Sequence, residues 1–146
     1  MKRLIVVSLL SGCASMANAA DGLISLKSAH NTAETRLVAA IEARKLTLFA
    51  RVDHAAGAQK IDKSLRSAKV FIFGNPNGGT PLMECARSMG IDLPLKVLVC
   101  QAQDGTVMLG FNDPVWLAKR HGTSCEQPVA NVAMALEGIA KAVVAP

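Results

Sequence analysis

Three histidines and four cysteines are the side chains in this sequence best suited to carry a reaction or hold a metal. Asp53 and His54 set an acid beside an imidazole at the end of an alternating run. Neighbouring strand residues point to opposite faces, so adjacency alone does not make a hydrogen-bonded pair, and either residue could simply tie the strand end to a loop. His121 stands just before Gly122, at the expected end of a helix, where a donor side chain meets unpaired carbonyls. His54 and His121 could contribute to a soft, copper-type site, with Met83, Met108 or Cys85 as further ligands. No His-x-x-x-His, Cys-x-x-Cys or Met-rich cluster supports one, so no metal and no cofactor is expected. His30 precedes a helix cap and is expected to face solvent.

Gly74 to Leu82 has the glycine spacing of a phosphate-binding loop, but not its chemistry. Thr80 stands where the phosphate-binding Lys belongs and Pro81 where the magnesium-binding hydroxyl belongs. A turn followed by a capped helix is the better reading, although backbone N–H groups at a helix start could still receive a small anion. Nucleophilic catalysis needs a hydroxyl or thiol beside a base. Cys85 has no local partner of that kind and the nucleophile-elbow pattern Gly-x-Ser-x-Gly is absent, so an enzyme using His54 or His121 as general acid-base is the weaker reading.

The N-terminus reads as an export signal. Lys2 and Arg3 precede the apolar run Leu4 to Leu10, and Ala17-Asn18-Ala19 offers the small residues that signal peptidase requires. The expected signal is residues 1–19, leaving a single domain over 20–146 in the periplasm. The alternative is a lipoprotein: Leu10-Ser11-Gly12-Cys13 resembles a lipobox, which would remove 1–12 and anchor the chain to the envelope through lipidated Cys13. No later segment is long and apolar enough to predict a membrane helix in the mature chain. An oxidising compartment would permit a Cys85–Cys125 disulfide, with Cys100 packed as a small hydrophobe, although sequence cannot supply the required separation.

The composition narrows the remaining classes. A 146-residue chain that is 51% hydrophobic can fold as one globular domain. Loss of the signal lowers the formal charge from +5 to +3, and the remaining Lys and Arg are scattered. One Trp, no Tyr and no basic block argue against nucleic acid as a partner.

The elements that must position these residues follow from periodicity and turn chemistry. Leu23 to Lys27 predicts a strand, and Asn31 with Glu34 a capping box opening a helix in which Leu37 and Ile41 share a face. Leu46, Leu48, Ala50 and Val52 alternate as one buried face of a strand, and residues 55–65 suit a short helix. A strand over Lys69 to Phe73 leads to a glycine-rich loop, then to a helix with Thr80 as N-cap and Pro81 first, ending near Gly90. Asp104-Gly105 predicts a hairpin pairing 95–103 with 106–111, and Asp113-Pro114 opens a short helix closed by Gly122. Val129, Val132, Leu136, Ile139 and Val143 form the stripe of a last amphipathic helix at about 127–144. This order predicts an α+β fold with an antiparallel or mixed sheet of about five strands and helices on one face.

Three stretches then stand out together: Phe49 to Ala58; Phe73-Gly74-Asn75-Pro76 through Gly79-Thr80-Pro81-Leu82-Met83; and Phe111-Asn112-Asp113-Pro114 through Leu117-Ala118 to Arg120-His121. With Asp92-Leu93-Pro94-Leu95-Lys96 between the last two, they resemble the domain of unknown function 302 family over about residues 22–121. The resemblance implies a fold similar to the TATA-binding-protein-like group and a homodimer; it implies no reaction. Cys100 stands where many relatives look aromatic and Phe111 where Tyr is common, which puts in doubt any role needing a phenol.

The functional expectation is a small ligand-binding or sensing domain of the cell envelope, its partner an unidentified small ligand or ion. Its pocket would be rimmed by Asp53, His54, Asn75, Thr80, Asn112, Asp113 and His121, polar residues at element ends. Protein recovered from the envelope should have an intact mass beginning at Ala20. A lipid-bearing mass beginning at Cys13 would establish the anchored form instead, and a cytosolic chain beginning at Met1 would contradict both.

Overall fold

A computed structural model of the chain describes residues 17, 18 and 22–146. The rest of the expected signal, its cleavage point and Cys13 lie outside the described residues. The described elements are β1 (Ala17–Asn18), β2 (Leu23–Ser28), α1 (Ala33–Ala43), β3 (Thr47–Asp53), α2 (His54–Gln59), β4 (Ala68–Gly74), α3 (Pro76–Cys85), a 3-10 turn (Arg87–Ile91), β5 (Leu95–Gln101), β6 (Val107–Asn112), α4 (Pro114–Arg120) and α5 (Glu126–Val144). Their strands form one antiparallel sheet in the order β1-β2-β6-β5-β4-β3, five principal strands with a two-residue pairing at one edge. The fold is α+β, as the pattern predicts.

Strand register assigns the two sheet faces. Lys69, Val99, Leu109 and Leu26 share one row, and Arg51, Phe71 and Val97 another, on the face covered by helices. Phe71, Phe73, Val97, Val99 and Leu109 are buried there beneath α5, whose Val129, Val132, Leu136, Ile139 and Val143 are all buried. Val52, Val70, Leu98, Gly110 and Ser25 form a row on the opposite face. Val70 and Leu98 are half-buried and Val52 is 42% exposed.

Several local expectations are corrected. A register shift between Leu48 and Ala50 bulges β3 at Phe49, so Leu48 keeps the core face while Ala50 and Val52 turn to the other, and Arg51 comes to lie over the Phe71 ring. The capping box does not form: Thr32 is the N-cap of α1 and makes no side-chain cap bond, while Glu34 instead pairs with Lys69 at 3.0 Å. The helix over 55–65 shrinks to α2, and residues 60–67 are exposed. The glycine-rich stretch is not a loop ahead of a Thr80 cap. Asn75 is the N-cap and Pro76 follows it, so the same cap-plus-proline signal acts five residues earlier and leaves Pro81 inside α3.

Other turns match the expected chemistry. Asp104 Oδ1 accepts from the Thr106 N–H in the β5–β6 connection, and that bond holds the Asp104 carboxyl below its ordinary pKa. Gly105 there has φ +84°. Asp113 Oδ1 accepts from Val115 N–H at the start of α4, and Gly122, with φ +68°, follows that helix. Gly22, with φ +74°, must lack a side chain because a Cβ there would run into the Trp116 ring.

A disulfide joins Cys85, the last residue of α3, to Cys125, the N-cap of α5, with Cα atoms 6.1 Å apart. That separation lies within the range disulfides adopt. Cys100 is free and half-buried on the less covered sheet face. The bridge closes a loop with a sequence separation of 40, so replacing both Cys85 and Cys125 by Ser should lower stability by about 3–4 kcal/mol. Urea unfolding without reductant measures this, and equal midpoints for the two proteins would contradict the tie.

Candidate functional site

The sheet has two ends with different chemistry. At one end β3, β4, β5 and β6 give way to Asp53, Lys69, Gln101 and Val107; at the other lie Thr47, Gly74, Leu95 and Asn112. From Thr47 to Asp53 the strand covers about 20 Å. The seven-residue pocket expected from the sequence therefore does not assemble. Asp53 and His54 lie at the end opposite Asn75, Thr80, Asn112 and Asp113.

Each of the separated residues has its own local setting. Asp53 Oδ1 accepts from the Ala56 N–H and caps α2, while its other oxygen lies 3.9 Å from Lys69 Nζ. The Asp53-Lys69-Glu34 group is thus an ion cluster at the strand end, joining β3, β4 and α1 rather than tying the strand to a loop. His54 is exposed at the first position of α2. His30 is half-buried and its ring meets the Ala145 carbonyl, so it fastens the chain's C-terminal end rather than facing solvent freely. Asp113 serves as the cap of α4 and Asn112 is exposed at the end of β6. Among the described residues no group of three or more His, Cys, Asp or Glu could hold a metal ion.

A cavity of about 550 Å³ opens at the Gly74 end. Gly74 to Thr80 and Met83 line one side, Leu93-Pro94-Leu95 the floor, Leu46 and Phe49 the β3 edge, and Asn131, Val132 and Ala135 the α5 wall. No residue of the lining is charged. Its polar side chains are the amides of Asn75, Asn77 and Asn131 and the Thr80 hydroxyl. Asn75 Oδ1 is already engaged by the Gly78 N–H, 2.9 Å away.

Two local features create this space. The bulge in β3 frees Phe49, 56% exposed, from the strand alternation and brings it to the rim. Gly78 and Gly79 carry no side chain into the gap: a Cβ at Gly78 would approach Val132 Cγ2 at 4.0 Å, and one at Gly79 would reach Leu93 Cδ1 at 3.7 Å. Sequence reasoning found Asn75 and Thr80 but missed the apolar lining. The signal was present, because Asn75-Pro76, Gly79-Thr80, Met83 and Leu93-Pro94-Leu95 all belong to the stretches that carry the family resemblance.

His121 lies in a different setting from the one expected. Instead of capping carbonyls, its Nε2 meets Asp92 Oδ2 at 2.6 Å and its Nδ1 meets Ser88 Oγ at 2.9 Å. Arg120 Nη1 donates to both oxygens of Asp92, at 3.1 and 3.2 Å. Neither Ser88 nor Asp92 is among the site candidates read from the sequence, although Asp92 belongs to a stretch that carries the family resemblance. A second, smaller cleft of about 220 Å³ lies at the Gln101 end, lined by Glu34 and Cys100 among others, and includes neither Asp53 nor His54.

Comparisons with known proteins agree with this architecture. A crystal structure of an uncharacterized conserved protein DUF302 from Bacillus stearothermophilus superposes with a TM-score of 0.76, covering 84% of this chain and 98% of the other at 15% identity. This likeness bears on the fold alone. In sequence, the chain is 42% identical over 116 residues to Fluoride-specific ion channel FluC 1 of Brucella suis biovar 1 (strain 1330), covering 78% of this chain but 46% of that protein. The same identity and length relate it to Fluoride-specific ion channel FluC 1 of Brucella abortus biovar 1 (strain 9-941), of which 43% is covered. The chain thus spans about half the length of the curated relatives it matches, and no helix among its described residues is long and apolar enough to cross a membrane. The family described as Domain of unknown function DUF302 matches residues 24–143, nearly the whole described fold, and the chain belongs to that family.

Proposed function

We propose that this chain is a small-ligand-binding domain of the cell envelope, and that its ligand is a neutral molecule with an apolar body and a hydrogen-bonding end. The observation that carries the reading is the uncharged cavity between α3, α5 and the β3 edge. Its size falls within the range of small-molecule sites, and a mostly apolar lining with a few directed polar groups is their usual character. Leu93, Leu95, Met83, Val132 and Phe49 would contact the apolar body, with Asn77, Thr80 and Asn131 available to the polar end. An ionic ligand fits this site less well: the lining supplies no opposite charge to offset the loss of hydration. This consideration also separates the cavity from the ion named for the Brucella relatives, in which a segment like this one forms under half of the protein.

The envelope assignment rests on the N-terminal signal pattern and is supported by the Cys85–Cys125 disulfide, a bond favoured in oxidising compartments. The homodimer implied by the family resemblance belongs to the same reading. The stripe of α5 is buried within its own chain, which leaves the row through Val52, Val70 and Leu98 as the surface for a second copy. Light scattering at micromolar concentration should return about twice the mature chain mass, and a monomer persisting at high concentration would contradict it.

N-phenyl-1-naphthylamine, a neutral probe whose fluorescence rises in apolar surroundings, tests the cavity. The native protein should enhance it, and Ala135→Trp, which places a large ring on the α5 wall, should weaken its binding by roughly tenfold or more. A thermal melt checks that the variant remains folded. No enhancement by the native protein, or equal enhancement by a folded Ala135→Trp variant, would defeat the proposal.

A further inference from the structure

We infer that Ser88, His121 and Asp92 form a second site, separate from the uncharged cavity, that performs nucleophilic acyl transfer on small carboxylic esters. The three side chains come from two elements that approach each other near the disulfide: the 3-10 turn Arg87–Ile91 with Asp92 immediately after it, and the residue following α4. Ser88 Oγ lies 2.9 Å from His121 Nδ1, and His121 Nε2 lies 2.6 Å from Asp92 Oδ2. In the neutral ring, the carboxylate accepts from Nε2–H and the Nδ1 lone pair faces the serine hydroxyl. The line therefore runs from hydroxyl to base to carboxylate, the sequence of roles that activates a serine.

Burial and charge support that order. The His121 side chain is 8% exposed and that of Asp92 13%, so the base and its orienting acid are held out of bulk water, whereas Ser88 is exposed and open to a substrate arriving from solvent. Arg120 donates to both Asp92 oxygens and keeps the carboxylate fixed in orientation. Lys96 Nζ donates to the carbonyls of Asp92 and Pro94, holding the following backbone in place. A salt link between the turn and α4 would require only Arg120 and Asp92. The alignment of His121 between Asp92 and an exposed hydroxyl goes beyond that requirement.

The reaction balances with water as co-reactant. Ser88 Oγ attacks the ester carbonyl while its proton passes to His121 Nδ1. The tetrahedral adduct collapses, the carbon–oxygen bond to the leaving group breaks, and the imidazolium returns the proton to the departing alkoxide, releasing an alcohol and leaving acyl-Ser88. Water, deprotonated by His121, then attacks the acyl carbon. The bond to Oγ breaks, Ser88 regains its proton and a carboxylic acid is released. Asp92 and Arg120 are positioning residues in this scheme.

The test uses the disulfide-intact mature chain with p-nitrophenyl acetate and, separately, a fluorophosphonate. Peptide mapping should find the acetyl and phosphonyl groups on Ser88, and Ser88→Ala should abolish both labels. His121→Gln should slow labelling of Ser88 by at least about a hundredfold. Asp92→Asn, checked for folding by its thermal melt, should slow it as well without moving the label to another residue. Absence of label from Ser88 in the native chain, or undiminished labelling of Ser88 in a folded His121→Gln or Asp92→Asn variant, would overturn the inference. Binding of the neutral probe by the cavity is read separately, so the two sites stand or fall independently.

Discussion

The packing of α5 across one face of the antiparallel sheet is the constraint on which the rest depends. Its 19 residues extend about 28 Å, and the five aliphatic side chains of its stripe together contribute stabilisation on the order of 10 kcal/mol through burial. That is comparable to the whole net stability of an ordinary domain. The helix rests against α1, α3, α4 and β2, so the position of each depends on it. The disulfide adds a covalent tie at the point where α3 ends and α5 begins.

The cavity is a by-product of that packing which the sequence leaves unfilled. Where α5 passes over the start of α3, the position facing Val132 is Gly78, while Gly79 faces Leu93 and the neighbouring strand is opened by its bulge. A well-packed two-layer domain would ordinarily place side chains in that gap. Leaving it open and free of charge forgoes apolar contacts within the chain but gives space to an outside molecule. The far end of the sheet is managed differently, with Glu34, Asp53 and Lys69 closing it by ion pairing.

Much of this architecture was legible in the residues. The α5 stripe, the Asp104-Gly105 hairpin and the Asp113-Pro114 helix start rest on local chemistry that tertiary contacts had no reason to override. The failures have physical causes. Asn75-Pro76 and Thr80-Pro81 carry the same start signal, and only packing decides between them. A single bulge at Phe49 reverses the faces of all later β3 residues, which strict alternation cannot foresee. The site suffered most, because polar residues at element ends were gathered without knowing which end of the sheet each occupied. Element ends group Asp53 and His54 with Asn75, while the relation of Ser88 and Asp92 to His121 exists only across the fold and has no mark in the sequence. The apolar lining looked like ordinary core, since leucine and valine bear no mark of facing a void.

Methyl-resolved NMR during titration with N-phenyl-1-naphthylamine tests the central claim most directly, since it reports where a neutral apolar molecule settles. The account predicts shifts concentrated on the methyls of Met83, Leu93, Leu95, Val132 and Ala135, with those of Leu26 and Val99 toward the other end of the sheet unchanged. Shifts confined to exposed Ile61 and Leu65, or no shifts at any cavity methyl, would contradict it.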